Sequence, residues 1–298
     1  MEPVRVGVIG SGTMGARHVE AWSALEADVT LYSPTASRRA ALAAATGVPA
    51  VGSLDRLLAT VEIIDLCTPT DTHRDLAVHA ARAGRHVICE KPLARTLDAA
   101  RDMVTACATA GVGLYVAEVL RYFPGYADAQ RVAAELGVLR SLRLIRAVEP
   151  PAEGTWVADP ARSGGVLVDL MIHDYDYARW VAGEVVAVQA SGGAASGQAR
   201  LTHASGAVSE VSGEWGDTFR SVLEIEGSAG SVRWDAADGT EQEDPGAPYR
   251  RQLAEFRDAI HLGTTPRVTA ADGVAALRIA LAAEESSRTG RVLHLAVS

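Results

Sequence analysis

Lysine is nearly missing from this chain. Of its 298 residues, 28 are Lys or Arg, and a single one of those, Lys91, is a lysine. Arginine serves surface charge and ion pairing at least as well. What it cannot do is release a proton near neutral pH, because its guanidinium stays charged. A buried ammonium can shift its pKa and join a proton transfer. The solitary lysine, in the run His86-Val87-Ile88-Cys89-Glu90-Lys91-Pro92, is therefore a candidate for chemistry. The plain alternative is that one lysine had to fall somewhere.

Other scarcities narrow the class. Cys67, Cys89 and Cys107 are far apart and form no CxxC or metal-type spacing, so neither a disulfide framework nor a zinc site is implied. Reduced thiols suit the cytosol. A strand is expected from Val4, which leaves no secretory leader ahead of it, and a cytoplasmic location is the expectation. No apolar run approaches the ~18 residues that span a bilayer. The formal charge is −9 and the pI about 5.4, so no basic face is available for nucleic acid or an anionic membrane. What is present is 48% hydrophobic residues, enough for a sizeable core. The length suggests one large or two ordinary domains, since single cores stop growing at about 250–300 residues.

The first 120 residues alternate short β-branched runs with alanine-rich helical stretches. Strands are expected at 4–9, 29–32, 63–67, 86–89 and 113–116, with helices at 13–25, 36–45, 71–83 and 97–108. Such alternation means βαβ units and a doubly wound parallel sheet. The pattern then changes. A helix at 126–136 leads to a strand at 141–148, a proline-containing loop at 149–163 and a helix at 169–181. Alternating segments at 185–190, 198–202, 207–214, 221–226 and 231–234 read as a meander with one open face. An acidic loop at 235–248, helices at 249–261 and 270–287 and a strand at 291–297 close the chain. The expected division is residues 1–120, an α/β Rossmann domain, and 121–298, an α+β domain.

Val6-Gly7-Val8-Ile9-Gly10-Ser11-Gly12-Thr13-Met14-Gly15 ends the first strand and opens the first helix. Gly10, Gly12 and Gly15 have the G-x-G-x-x-G spacing: a tight turn, room for a pyrophosphate, and close packing of helix on strand. The helix N-terminus supplies N–H groups and a positive dipole end for phosphates. An NAD site usually carries Asp or Glu at the end of the second strand. Here that end offers Ser33, with Arg38 and Arg39 near, and Asp28 lies at the wrong end. A hydroxyl and guanidinium groups suit a 2′-phosphate, so NADP(H) is favoured over NAD(H). The alternative is that the two arginines are ordinary surface residues, which fits Arg39 better than Arg38.

A second dense cluster is Ser163-Gly164-Gly165-Val166-Leu167-Val168-Asp169-Leu170-Met171-Ile172-His173-Asp174-Tyr175-Asp176. On one helix, Asp169, His173 and Asp176 fall at i, i+4 and i+7 and share a narrow face, with Trp180 close to it and Asp174 off it. An acid four residues from a histidine can orient it and keep it basic, giving an acid/base pair. Two readings compete: Asp169 as a helix N-cap beside an exposed ion pair, or a metal site completed by a further ligand such as His18, His73 or His79.

Taken together, Gly10 to Gly15, Cys67-Thr68-Pro69-Thr70 with His73, Glu90-Lys91-Pro92, and Gly164-Gly165 with Asp169, His173 and Asp176 resemble the glucose–fructose oxidoreductase / inositol dehydrogenase / rhizopine catabolism (Gfo/Idh/MocA) family over nearly the whole chain. The resemblance implies a Rossmann domain followed by an α+β domain with an open, mostly antiparallel sheet. It implies NAD(P)-dependent oxidation and reduction of sugars, cyclitols and related polyols, and homodimers or homotetramers that pair through the C-terminal sheet. It sets Gly10, Ser11, Gly12, Thr13, Met14, Gly15, Ser33, Arg38, Thr68, Pro69, His73, Glu90 and Lys91 along the cofactor. Lys91, Asp169 and His173 match the catalytic set. Lys91, Arg121, Trp156, Asp169, His173 and Asp176 match the substrate side, and a rigid bond is implied before Pro92. Trp156 is followed by Val157, where the family often has arginine.

The activity so implied is hydride transfer between nicotinamide and a secondary hydroxyl or ketone. No resident metal is expected. Rival classes are a dinucleotide- and sugar-binding regulator without turnover, an NAD-dependent glycosidase and a sugar-nucleotide ketoreductase. The joint presence of Lys91, Asp169 and His173 favours an enzyme over a regulator, which needs no acid/base set.

Overall fold

The computed structural model describes residues 2–238 and 244–296. The middle of the acidic loop expected at 235–248, and Val297 at the end of the expected closing strand, lie outside the described residues. The chain divides into two compact units, Met1–Val119 with Asp244–Asp272, and Leu120–Glu243 with Gly273–Ser298.

The first unit opens with β1 (Arg5–Ile9), α1 (Thr13–Ala24), β2 (Asp28–Tyr32) and α2 (Ala36–Thr46). Then come β3 (Ala50–Val51), α3 (Leu54–Thr60), β4 (Ile63–Leu66), α4 (His73–Arg82), β5 (His86–Glu90), α5 (Leu97–Ala110) and β6 (Leu114–Ala117). The six strands are all parallel, in the order β3-β2-β1-β4-β5-β6. Val6, Val8, Ile63, Ile64, Val87 and Ile88 are fully buried, as strands covered by helices on both faces require. Local chemistry fixes the ends of α5: the Thr96 hydroxyl accepts the Ala99 N–H at 3.2 Å, and Gly111 closes the helix in the left-handed region. The short β3 and α3 had no counterpart in the sequence reading. Two residues of strand are below what periodicity can register.

The second unit runs through α6 (Pro124–Ala133), β7 (Leu139–Val148), the single turn α7 (Pro160–Ser163), a π-helical turn Val166–Leu170, and α8 (Ile172–Ala182). It continues with β8 (Val185–Gly192), β9 (Ser196–His203), β10 (Val208–Trp215), β11 (Arg220–Gly227) and β12 (Ser231–Asp235). After the acidic loop the chain returns to the first unit with α9 (Ala247–Leu262), and α10 (Ala270–Thr289) and β13 (Leu293–His294) follow. The second sheet has the order β12-β11-β7-β10-β9-β8-β13, and among its pairings only β7 with β10 is parallel.

Three expectations change here. The strands are not a simple meander, because β7, first in sequence, inserts between β10 and β11. The expected helix 169–181 is broken: Val166–Leu170 turns in π geometry, closed by Met171 N–H to Val166 C=O at 3.0 Å, before α8 begins at Ile172. One regular α-helix therefore does not run through Asp169, His173 and Asp176: Asp169 belongs to the π-helical turn, and His173 and Asp176 to α8. Its setting explains the break. Leu167 and Met171 press into the sheet where Gly197 and Gly213 pair, and Cβ atoms there would come within 2.6 and 2.5 Å of them. Finally, the second domain is not contiguous. Asp244–Asp272 groups with the first unit because α9 packs there: the Tyr249 hydroxyl meets Arg17, Phe256 stacks on Tyr115 at 5.3 Å, and the Gln252 side-chain oxygen faces the Glu118 and Val119 N–H groups.

Candidate active site

In the first sheet the strand order reverses between β1 and β4, and the carboxyl ends of β1, β2, β4 and β5 share one edge. That crevice is where open α/β sheets take their ligands. The edge gathers the glycine loop after β1, Ser33 after β2, Thr68 and Pro69 after β4, and Glu90 and Lys91 at the end of β5.

The three loop glycines serve different needs. Gly10 has φ +128°, and a Cβ there would fall 2.2 Å from the Cys67 carbonyl oxygen. At Gly15 a Cβ would fall 2.3 Å from the Gly10 oxygen, so α1 leans directly on the turn. Both are glycine for the protein's own packing. Gly12 is exposed, has φ −89°, and a Cβ there meets nothing within 4 Å. Neither strain nor packing asks for glycine at Gly12; close approach of a ligand does. No side chain caps the N-terminus of α1, and its first turn carries no acid. Ser11, Gly12, Thr13 and Met14 therefore fit a pyrophosphate held by free N–H groups and the helix dipole.

At the end of β2 the Ser11 hydroxyl donates to the Ser33 hydroxyl at 2.9 Å, and Arg39 donates to the Ser33 carbonyl at 2.5 Å. Arg38 is exposed, and Arg39 is the arginine committed to this corner. At 100° per residue, one step on α2 decided which guanidinium turned back toward the strand.

Thr72 bonds the Thr68 hydroxyl at 2.8 Å and the Pro69 carbonyl at 2.7 Å, fixing the turn after β4. His73 is fully buried. Its Nε2 lies 2.9 Å from the Thr68 carbonyl, and its Nδ1 lies 3.1 and 3.3 Å from those of Pro92 and Leu93. Both ring nitrogens are thus spent on main chain, tying the Thr68 turn to the segment after Lys91. Burial lowers the His73 pKa, with the Thr68 carbonyl opposing. Lys91 is half-buried, the Lys91–Pro92 peptide is cis, and the Glu90 Oε2 accepts the Lys91 N–H at 3.1 Å.

Beneath this edge the sequence reading missed a cluster. His18 Nδ1 and Trp22 Nε1 both meet Asp65 Oδ2, at 2.8 and 2.7 Å, and all three residues are fully buried. A signal was there to read: Asp65 interrupts the apolar strand Ile63-Ile64-Asp65-Leu66, and a carboxylate in a buried strand demands partners.

In the second unit, Asp169 is buried in the π-helical turn and His173 is half-buried in the first turn of α8. Asp176 and Arg121 form a two-pronged pair, with Nε to Oδ2 at 2.7 Å, and the Arg121 guanidinium lies 5.2 Å over the Trp180 ring. Both members are buried, and the two bonds between them leave further guanidinium N–H groups and carboxylate lone pairs for other partners. Asp174, set off the active face by the sequence pattern, takes a bidentate bond from Arg146 at 2.8 and 2.9 Å. Trp156 is half-buried in the loop before α7.

The Rossmann edge defines a dinucleotide-binding oxidoreductase, and comparison with known proteins agrees. The model described as "Oxidoreductase family, NAD-binding Rossmann fold" matches residues 4–118, and the Gfo/Idh/MocA C-terminal domain matches 129–233. The chain is 31% identical to 1,5-anhydro-D-fructose reductase of Ensifer adhaerens, over 98% of each chain. It is 28% identical to D-xylose 1-dehydrogenase (NADP(+)) 2 of Haloferax volcanii, over 97% of this chain and 99% of that one. Among solved structures, a myo-inositol dehydrogenase from Corynebacterium glutamicum superimposes with a TM-score of 0.86 at 27% identity, covering 99% of this chain and all of that one. The protein belongs to the Gfo/Idh/MocA family of NAD(P)-dependent oxidoreductases.

Proposed function

We propose that the protein moves a hydride between nicotinamide and a carbon bearing a secondary hydroxyl, or the matching ketone, of a sugar, inositol or related polyol. The observation that carries this is the chain's one lysine, held at the carboxyl end of β5, on the edge that displays the glycine loop. The substrate class is supported by the reductase, xylose dehydrogenase and inositol dehydrogenase named above.

The bound dinucleotide would supply the redox chemistry, and the chain supplies position and protons. Gly10 to Gly15, Thr68 and Pro69 would hold it. Lys91 donates a hydrogen bond to the reacting oxygen and stabilises its developing charge. His173 takes the hydroxyl proton in oxidation and returns one in reduction, and Asp169 orients it. Such acid/base help is worth ~10²–10⁴-fold in rate. Asp176 and Arg121 hold neighbouring hydroxyls of the substrate, and their pairing braces the helix that carries His173. Trp156 faces the substrate from its loop. Ser33 and Arg39, with Arg38 at the rim, favour the 2′-phosphate of NADP(H). Assembly is a homodimer or homotetramer through the open face of the second sheet, and the location is cytoplasmic, in keeping with three buried free thiols.

The test is a screen of NADPH and NADH oxidation with keto-sugars and inososes, followed by Lys91→Arg on the best substrate. Turnover is expected to fall about 10²-fold or more, with dinucleotide affinity little changed. Near-normal turnover in the variant would overturn the assignment. Light scattering on the purified chain tests the oligomer.

A further inference from the structure

The first unit holds a buried charged network that the hydride-transfer scheme leaves unused. His18 sits on α1, three residues after Gly15, and is 0% exposed. Its Nδ1 lies 2.8 Å from Asp65 Oδ2, the oxygen that also accepts from Trp22. Its Nε2 lies 3.1 Å from Glu90 Oε1 at the end of β5; the line is too bent for a hydrogen bond, and Nε2 has no other partner. The second Glu90 oxygen accepts the Lys91 main-chain N–H at 3.1 Å. A continuous path of short contacts therefore runs from Asp65 through His18 and Glu90 to Lys91.

The donor and acceptor inventory says how this path is charged. An ionised carboxylate only accepts, so Nδ1 carries the proton shared with Asp65, and the Glu90 carboxylate beside Nε2 favours a second proton there through its charge. Burial by itself would lower the His18 pKa; the Asp65 charge beside it prevails and raises it well above 6.5. His18, Asp65 and Cys67 also bring three kinds of metal-ligand atom within 4.8 Å of one another. Burial, and then the Asp65 charge, push the Cys67 thiol up to about 12, so it stays protonated. A cation would have to displace both that proton and the one joining His18 to Asp65. The cluster is built to hold protons.

We propose that His18 is a positioning residue for the reaction: anchored by Asp65, it fixes the Glu90 carboxylate, and Glu90, through the Lys91 main chain, fixes where the lysine leaves β5. This rests on Lys91 being the residue that meets the reacting oxygen. Other groups facing His18 are Cys67 just beyond β4, Trp22 on its own helix, and Tyr249 of α9, whose ring centre is 6.2 Å away with Arg17 over its face. Glu90 also acts on His73 across the network.

Two experiments test it. In the dinucleotide-free protein, the His18 ring signal in imidazole NMR, assigned by its loss in His18→Gln, should stay doubly protonated past neutrality. In Glu90→Gln its midpoint should fall, because a negative charge 3.1 Å from Nε2 is removed. A neutral ring at pH 7, or a midpoint indifferent to Glu90→Gln, overturns the proposal. In steady-state kinetics, His18→Asn keeps a donor toward Asp65 and removes the one toward Glu90. Its kcat should fall about tenfold, while the dinucleotide KM moves by less than about twofold. His18→Gln, whose amide nitrogen reaches as far as Nε2, should recover most of the loss, and His18→Asn should add nothing once Glu90 is Gln. Effects that multiply in the double variant, as for independent sites, overturn it, as does wild-type turnover in His18→Asn. Where His18→Asn fails to fold, His18→Gln and the NMR titration decide. Absence of activity in the unsubstituted protein removes the Lys91 reading alone, because the ring titration is read without turnover.

Discussion

Arg121 and Asp176 hold each other by two parallel hydrogen bonds, at 2.7 and 2.5 Å, with the arginine 2% and the aspartate 0% exposed. A pair this deep is strong only while both partners remain. Asp176→Leu leaves a guanidinium in the core without its counter-charge and is expected to cost about 3–5 kcal/mol in urea unfolding. Arg121→Met combined with Asp176→Leu should cost less than the single change. A double variant less stable than Asp176→Leu alone would show that the pair is not the unit that matters.

Gly10 and Gly12 stand two residues apart and should respond in opposite ways to alanine. Gly10→Ala meets the Cys67 carbonyl at 2.2 Å with φ at +128°, and a loss of about 3 kcal/mol or more is expected. Gly12→Ala meets nothing within 4 Å, and stability should move by less than about 0.5 kcal/mol. Dinucleotide affinity should nevertheless fall about tenfold or more in Gly12→Ala, read by nucleotide fluorescence. An unchanged affinity would remove the pyrophosphate from this loop.

The glycine spacing and the alternating strands made the first unit readable, because each reports a local demand of the backbone. The insertion of β7 between β10 and β11 was not readable: strand order depends on contacts between residues such as Ser141 and Val208, far apart in sequence. The π-helical turn at Val166–Leu170 was hidden for a related reason. Its cause is the pair of glycines, Gly197 and Gly213, on strands thirty and more residues downstream. The Arg121–Asp176 and His18–Asp65 pairs were likewise invisible, since nothing in a sequence says which of many charges will share a core. Asp65 inside an apolar strand was the one legible hint.

Cofactor choice should turn on the corner of β2. Ser33→Asp puts a carboxylate where the Ser33 hydroxyl now accepts from Ser11, and beside Arg39. It should repel a 2′-phosphate and pair with ribose hydroxyls instead. The ratio of kcat/KM for NADPH over NADH is expected to fall about tenfold or more, with kcat on NADH retained. A ratio unmoved by Ser33→Asp and by Arg39→Ala would mean that this corner does not read the phosphate.

Buried histidines set the pH range of stability from both sides. Burial lowers the pKa of His73, and that of His203, below the ordinary 6.5. His203 is satisfied as a neutral ring, with Nδ1 2.7 Å from the Gly183 carbonyl and Nε2 2.8 Å from the Ser209 hydroxyl. Below pH 6.5 the unfolded chain takes up protons that these rings refuse, so their contribution is complete above 6.5 and is lost as pH falls toward their folded values. His18 runs the other way. Its folded pKa is raised, so its contribution is complete below 6.5 and declines as pH rises through the raised value. Thermal melts should therefore show highest stability near neutrality. His203→Gln should flatten the acid side between pH 7 and 5, and His18→Gln the alkaline side. An acid slope unchanged in His203→Gln would assign the loss to carboxylates instead.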